Sequence, residues 1–346
     1  MGGLAEVIVG ILALCEVKAG ERVVLYTGQE FDSALLEEYT AALKSMDADF
    51  LRVVAHVRDR DGQMVNPGAE PLACELFKAA DMVVYVLPQD AYWGEGIPRV
   101  AQLHTPAFRR VREENPRLRW LQVGLPHPEI NYRRLLPSDQ MLARTRAGAA
   151  VMEAAEWIRL ESPNGTSFRC RKEIGTAGHQ IGIVNSEHTW DNYGCGNVSC
   201  HPTADSAEGV IVVSPGDHWH HTRSPEALSI VRDTIRLHFE GGLLVKIEGG
   251  AEAKLIERSL SRYSEQGVRR VAHIGWGTHD GAVWVEDRLF SVADWEGAYG
   301  SLMIHLGGYA GLGGPHFSGP TVVDHSLWLD DELIVDGGTI VSEVCR

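Results

Sequence analysis

A chain of 346 residues, 44% hydrophobic and 23% charged, has material for two cores of ordinary size, since one core rarely grows past about 250 to 300 residues. Its formal net charge of −15 argues against nucleic acid as a partner, because that affinity rests on Lys and Arg neutralising phosphates. No run of about eighteen apolar residues occurs, so no membrane-spanning helix is expected.

Gly2 to Cys15 is apolar but interrupted by Glu6 and not preceded by basic residues, so it reads as a first helix rather than a secretion signal. Cys15, Cys74, Cys170, Cys195, Cys200 and Cys345 are dispersed, which fits a reducing cytoplasm. Cys195 and Cys200 beside His201 lack the second pair that a structural zinc site wants. Strands are expected at Glu21 to Tyr26, Asp49 to Val57, Asp81 to Leu87 and Leu118 to Val123. Helices are expected at Asp32 to Met46, Pro71 to Ala80 and Phe108 to Glu114. Strands joined by helical crossovers make a mainly parallel sheet covered on both faces, with a ligand crevice at its switch point. Thr27-Gly28-Gln29 is no phosphate loop, so nucleotide binding is not expected.

Asp139 to Leu160 reads as one long helix closing this α/β domain, and the turn cluster Ser162-Pro163-Asn164-Gly165-Thr166 as the boundary. The expected division is an α/β domain over 1–162 and a β-rich α+β domain over 163–346 that carries the metal site. Strands in the latter are expected at Val210 to Val213, Leu243 to Glu248, Ala282 to Val285, Leu327 to Leu329 and Leu333 to Val335. A helix is expected at Glu252 to Gln266, with a turn near Asp294 to Tyr299.

Three histidines stand in glycine-rich surroundings: Ala272-His273-Ile274-Gly275-Trp276-Gly277, Met303-Ile304-His305-Leu306-Gly307-Gly308 and Gly313-Gly314-Pro315-His316-Phe317-Ser318-Gly319. Taken singly, each is as well explained by a core imidazole satisfied by a carbonyl. Together, imidazoles on rigid strand ends suit iron, zinc or manganese, and three of them leave positions open for water, oxygen or substrate. His218 and His220 would share a strand face as a possible metal pair, though exposed or oligomer-interface positions are preferred. Asp205 and Glu208 are expected to cap a turn, and Asp330-Asp331-Glu332 to form a solvated hairpin turn.

The blocks Ala272-His273-Ile274-Gly275-Trp276-Gly277 and Asp205-Ser206-Ala207-Glu208-Gly209, the pair Trp190-Asp191 and the Leu329-Asp330-Asp331 turn resemble the 2,5-dihydroxypyridine 5,6-dioxygenase family, iron(II)-dependent ring-opening enzymes. More distantly, the chain is similar to the thermophilic-type leucyl aminopeptidases. The resemblance covers roughly residues 165 to 340. It implies that His273 and His316 are ligands, that His305 stands where the family has a serine, and that Ser318 stands where it has an aspartate. The implied site is His273, His305 and His316 holding Fe(II), or zinc or manganese, with Ser318 or Asp324 as further candidates. Where the aminopeptidases carry two metal-binding glutamates, this chain has Asn197 and His273, so their two-metal site is not expected.

By the same resemblance, Asn192 replaces an acid/base histidine, His179 or Gln180 a substrate-facing glutamate, and Pro88 or Gln89 another pocket histidine. His179 and Asn192 are the catalytic candidates; Tyr193 and Trp276 are the candidates to pack against a substrate ring. Two reaction classes follow. One is aromatic catabolism by an oxygenase that opens a hydroxylated nitrogen-containing ring. The other is a metallohydrolase attacking an amide, lactam or activated ring carbon. The implied partners are a small heterocyclic substrate and further copies of the chain in a homo-oligomer.

Overall fold

Runs of β-branched residues alternating with amphipathic helices build the first of two compact units. A computed structural model describes residues 3–28, 33–55, 70–86, 106–123, 136–193, 196–219, 230–264, 266–282, 284, 292–307 and 319–346. The first unit comprises Met1–Pro137, Gln180–Cys195 and Leu289–Ala293; the second takes Ser138–His179, Gly196–Arg288 and Asp294–Arg346.

In the first unit, β1 (Arg22–Gly28), β2 (Asp49–Ala55), β3 (Met82–Val86), β4 (Arg119–Val123) and β8 (Trp190–Tyr193) form a parallel sheet in the order β2-β1-β3-β4-β8. Alternate side chains serve opposite faces. Val23, Leu25 and Val84 pack with α1 (Leu4–Leu14) and α2 (Ser33–Ser45). Val24, Tyr26 and Tyr85 pack with Phe77 of α3 (Glu70–Ala79) and Val111 of α4 (Pro106–Glu114). Two apolar faces are why these strands read as continuous apolar runs. The buried Arg119 guanidinium donates to the carbonyls of Cys15 and Val184 and pairs with Glu21, so a charge in this core has its partners.

The second unit opens with α5 (Asp139–Ala154), capped by Ser138 Oγ accepting from Met141 N at 3.1 Å. The helix ends at Ala155 with an extended backbone, and β5 (Trp157–Ser162) follows. The expected single helix to Leu160 is therefore corrected. Ile158 and Leu160 alternate with polar neighbours at period 2, and β6 (Thr166–Arg171) pairs with them across the Ser162 to Thr166 turn. That turn is a hairpin inside the second unit rather than a domain boundary, with Gly165 at φ +103°. The boundary expected at 162/163 moves to 137/138, and Gln180–Cys195 returns to the first unit to supply β8.

Two sheets build the second unit, besides β7 (Gly178–Gln180) at an edge. The larger joins β5 and β6 with β10 (Glu208–Val213), β12 (Ile235–Glu240), β13 (Leu243–Glu248), β17 (Ser326–Leu329), β18 (Glu332–Asp336) and β19 (Thr339–Ile340) in antiparallel pairs. The smaller adds β9 (Asn197–Cys200), β11 (His218–Trp219), β14 (Val271–Gly277), β15 (Leu302–Leu306) and β16 (Pro320–Val322), in the order β11-β16-β15-β14-β9-β7. One core takes Ile158, Phe168, Ile211 and Leu237 from the larger sheet. From the smaller it takes Val198, Ile274, Trp276, Leu302, Ile304 and Val322.

The helix expected to Gln266 is α6 (Ala251–Leu260) followed by a 3-10 turn over Gln266–Arg269. The turn near Asp294 is the short α7 (Val292–Gly297). Of the strand expected at 282–285, Ala282 and Trp284 are described and lie outside any strand. Glu208 accepts from Gly241 N at 2.8 Å, a turn-holding role. Asp330, at φ +51°, makes the β17–β18 turn and accepts from Trp157 N at 2.8 Å.

Candidate metal centre

Register places the candidate ligands. β14 and β15 pair antiparallel with His273 directly opposite His305, after an irregularity between Val271 and His273. The neighbours Ile274, Trp276, Ile304 and Leu302 enter the core, so by alternation the two imidazoles occupy the sheet's other face. Their ring centroids are 4.3 Å apart. Glu296 of α7 brings Oε1 to 2.9 Å from His305 Nε2. One ligand atom from each of His273, Glu296 and His305 lies within 4.8 Å of the others. His305 and Glu296 are buried, at 3% and 8% exposure, where a carboxylate needs a partner or a metal.

This donor set fits a divalent transition metal: two imidazoles and one carboxylate is the set that holds non-haem iron with positions left open. Sequence reasoning missed Glu296. Its only signal was an acid flanked directly by Trp295 and Gly297-Ala298, two residues after Asp294. His201 extends the row. It follows Cys200, which pairs with Ile274, and its Nδ1 sits 2.6 Å from the Ala272 carbonyl, with its ring 6.5 Å from that of His273. Burial holds the His201 imidazole below its usual pKa, against the Ala272 contact.

The model of the family described as NicX, 2,5-dihydroxypyridine 5,6-dioxygenase, matches residues 3–342. The chain belongs to that family. It is an enzyme of a group named for ring-cleaving dioxygenases, which bears out the resemblance read from its motifs. The 2,5-dihydroxypyridine 5,6-dioxygenase of Pseudomonas putida is 26% identical over 250 residues, 69% of each chain. A solved structure of the dioxygenase from Pseudomonas putida KT2440 superposes with a TM-score of 0.83 at 23% identity, covering 99% of this chain and 98% of that one. Wild-type AmpT from Thermus thermophilus superposes at 0.64 with 16% identity, covering 98% and 99%, so all three share a fold. Among the described residues no helix is long and apolar enough to cross a membrane.

Within this family member the other expected residues are distributed as follows. His316 and Ser318 lie outside the described residues, as do Pro88 and Gln89. Asp324 is corrected: it is exposed in the β16–β17 turn, at φ +58°, and is not in the cluster. Trp276 is also corrected: it is fully buried on the core side of β14, and a methyl on Gly148 of α5 would overlap its ring. It is a wall of the core rather than of a substrate site. His179 is exposed on β7, separated from β14 by β9; its surroundings, then the Arg146 charge, hold its imidazole below the usual pKa. Asn192 and Tyr193 belong to β8 in the first unit, the Tyr193 side chain being outside the described set. Asn197, buried, pairs with Gly277 at the far end of β14. His218, expected at the surface, is fully buried, its ring 3.9 Å from that of Trp295. His220 lies outside the described residues.

The family pair Trp190-Asp191 has a structural role in the first unit. Asp191 Oδ2 accepts from the amides of Ile181 and Gly182 at 3.0 Å each and of Ile183 at 3.3 Å. Asp191→Ala leaves these buried donors without an acceptor and is expected to cost on the order of 3 kcal/mol, read by urea unfolding. Burial raises the Asp191 carboxyl to about 7 even though the amides pull it down. Between the unfolded value of 3.8 and about 7, the folded chain keeps a proton that the unfolded chain has lost. Stability from this group is therefore full below that window and falls as pH rises through it. Melting temperatures measured from pH 4 to 8 are expected to fall less steeply in Asp191→Asn than in wild type. An equal slope would remove Asp191 as the cause.

Proposed function

We propose that the chain is a metal-dependent dioxygenase that opens a hydroxylated nitrogen-heteroaromatic ring of the dihydroxypyridine class. His273, His305 and Glu296 would hold iron(II), and His316 remains a proposed ligand through the family resemblance. The observation that carries the reading is the convergence of two imidazoles and a carboxylate on neighbouring elements of a chain that belongs to this family. A bound iron would supply Lewis acidity toward a ring hydroxyl and an electron couple for dioxygen.

The chain's own residues do the rest. Glu296 supplies the negative charge that three histidines lacked, so the site offsets half of a dication's charge and keeps a residual attraction for an anionic substrate. Thr321, fully buried and opposite Met303, is a diagonal neighbour of His305 on the same face. Its hydroxyl has no hydrogen-bond partner among the described residues, and it is assigned to a polar atom of the substrate. His179 and Asn192 are assigned to catalysis, His179 in proton handling, and Tyr193 to packing against the substrate ring, on the resemblance alone.

The test is metal analysis of anaerobically purified protein combined with oxygen uptake over a panel of dihydroxypyridines. One iron per chain and one dioxygen consumed per ring opened are expected. Stoichiometric zinc, no oxygen uptake and hydrolysis of an amide or lactam would establish the hydrolase instead.

A further inference from the structure

We propose that His218 is a positioning residue that sets the direction of Glu296 by stacking on Trp295; this rests on the metal-site reading above. β11 lies at the edge of the smaller sheet, with Trp219 in the core and His218 on the other face, opposite Thr321. The His218 and Trp295 rings lie 3.9 Å apart at 13°, a stacked pair, while the Trp284 ring meets His218 edge-on at 4.3 Å. Trp284 is tethered in turn, its Nε1 donating to the Gly216 carbonyl at 3.4 Å.

The platform is rigid. Asp217 Oδ2 accepts from Ser214 N at 2.7 Å and Oδ1 from Val323 N at 2.9 Å, while the Asp217 carbonyl accepts from Val231 N at 2.8 Å. The element it orients is not self-supporting. Six residues of helix are too few to be stable alone, so packing decides how α7 lies.

Its C-terminal backbone is fixed by Ser301 Oγ donating to the Trp295 carbonyl at 2.8 Å and by His279 N donating to the Gly297 carbonyl at 2.8 Å. Those bonds hold the end of the helix. Rotation about its axis, which aims the carboxylate, is set by the buried side chain next to it, because successive helical residues are about 100° apart. With the Trp295 indole laid against His218, Glu296 Oε1 reaches His305 Nε2 at 2.9 Å. The property used is the flat ring of His218.

Metal-free wild type, His218→Phe and His218→Leu would be titrated with Mn2+ by electron paramagnetic resonance, with urea unfolding measured in parallel. Phenylalanine keeps the stack and is expected to bind within about threefold of wild type. Leucine loses it and is expected to bind about 10- to 100-fold more weakly, the usual cost of removing support for a metal ligand. Should His218→Leu fail to fold, Trp295→Phe against Trp295→Leu asks the same of the other ring. Folded His218→Leu or Trp295→Leu binding Mn2+ as wild type does would overturn this inference alone, as would equal losses in His218→Phe and His218→Leu. Wild type that takes up neither Mn2+ nor Fe2+ would overturn the metal reading together with it.

Discussion

Replacing Glu296 by alanine is expected to weaken metal binding by about 100-fold or more and to remove oxygen-dependent turnover at limiting iron. Groups that merely support a ligand cost 10- to 100-fold in metal affinity when lost, and a donor in the metal's own sphere costs more. Glu296 is 8% exposed and its Oε1 is 2.9 Å from His305 Nε2, so alanine removes both a negative charge and a neighbour of His305. Glu296→Asp keeps the charge on a shorter stem and is expected to fall between wild type and alanine. Asp324→Ala is the contrasting variant: its carboxylate is exposed in a turn outside the cluster, and its metal affinity is expected to stay at the wild-type value. Mn2+ titration and oxygen uptake at a series of iron concentrations read these outcomes. Glu296→Ala with wild-type affinity would leave His273 and His305 as ligands and remove Glu296 from the sphere.

What was legible in the sequence follows from which contacts are local. Val23 to Tyr26 and Val83 to Val86 announce themselves because both faces of their sheet are apolar, so the strands read as unbroken runs. Trp190 to Tyr193 do not, since four mixed residues become a strand only by pairing with β4, far away in the chain. Ile158 and Leu160 fit a helical or an extended pattern equally until β6 decides the matter.

The site divides along the same line. His273 carries glycine neighbours and a family resemblance, and His305 glycine neighbours alone, all readable in one dimension. Glu296 sits on a six-residue helix with no periodic signature, and its proximity to His305 is tertiary. Nothing local marks His218 as buried, with Asp217, His220 and His221 around it. Burial comes instead from Trp284 and Trp295, two rings that the sequence gives no reason to place against it.

Gly277→Ala is expected to cost about 3 kcal/mol of folding stability and to weaken metal binding in the protein that remains folded. At Gly277 the close neighbour is the chain itself. A methyl there would overlap the carbonyl oxygens of Ala298 and Glu296, at the end of α7. Those atoms are backbone, and the Gly277 amide also donates to the Ser301 carbonyl at 2.9 Å, so the strain cannot be relieved by turning a side chain. Relief requires lifting α7, and the Glu296 carboxylate moves with it.

Gly275→Ala separates the two effects. Its methyl would overlap the Val198 carbonyl oxygen on β9, away from α7, so a similar loss of stability is expected with a smaller change in metal affinity. Gly178→Ala, where a methyl meets nothing within 4 Å, should stay within about 0.5 kcal/mol of wild type. Urea unfolding of the metal-free proteins and Mn2+ titration of the folded ones decide the case. Gly277→Ala that is destabilised yet binds Mn2+ as tightly as wild type would mean that α7 keeps its place without this contact. The aim of Glu296 would then rest on the Trp295 side of the helix alone.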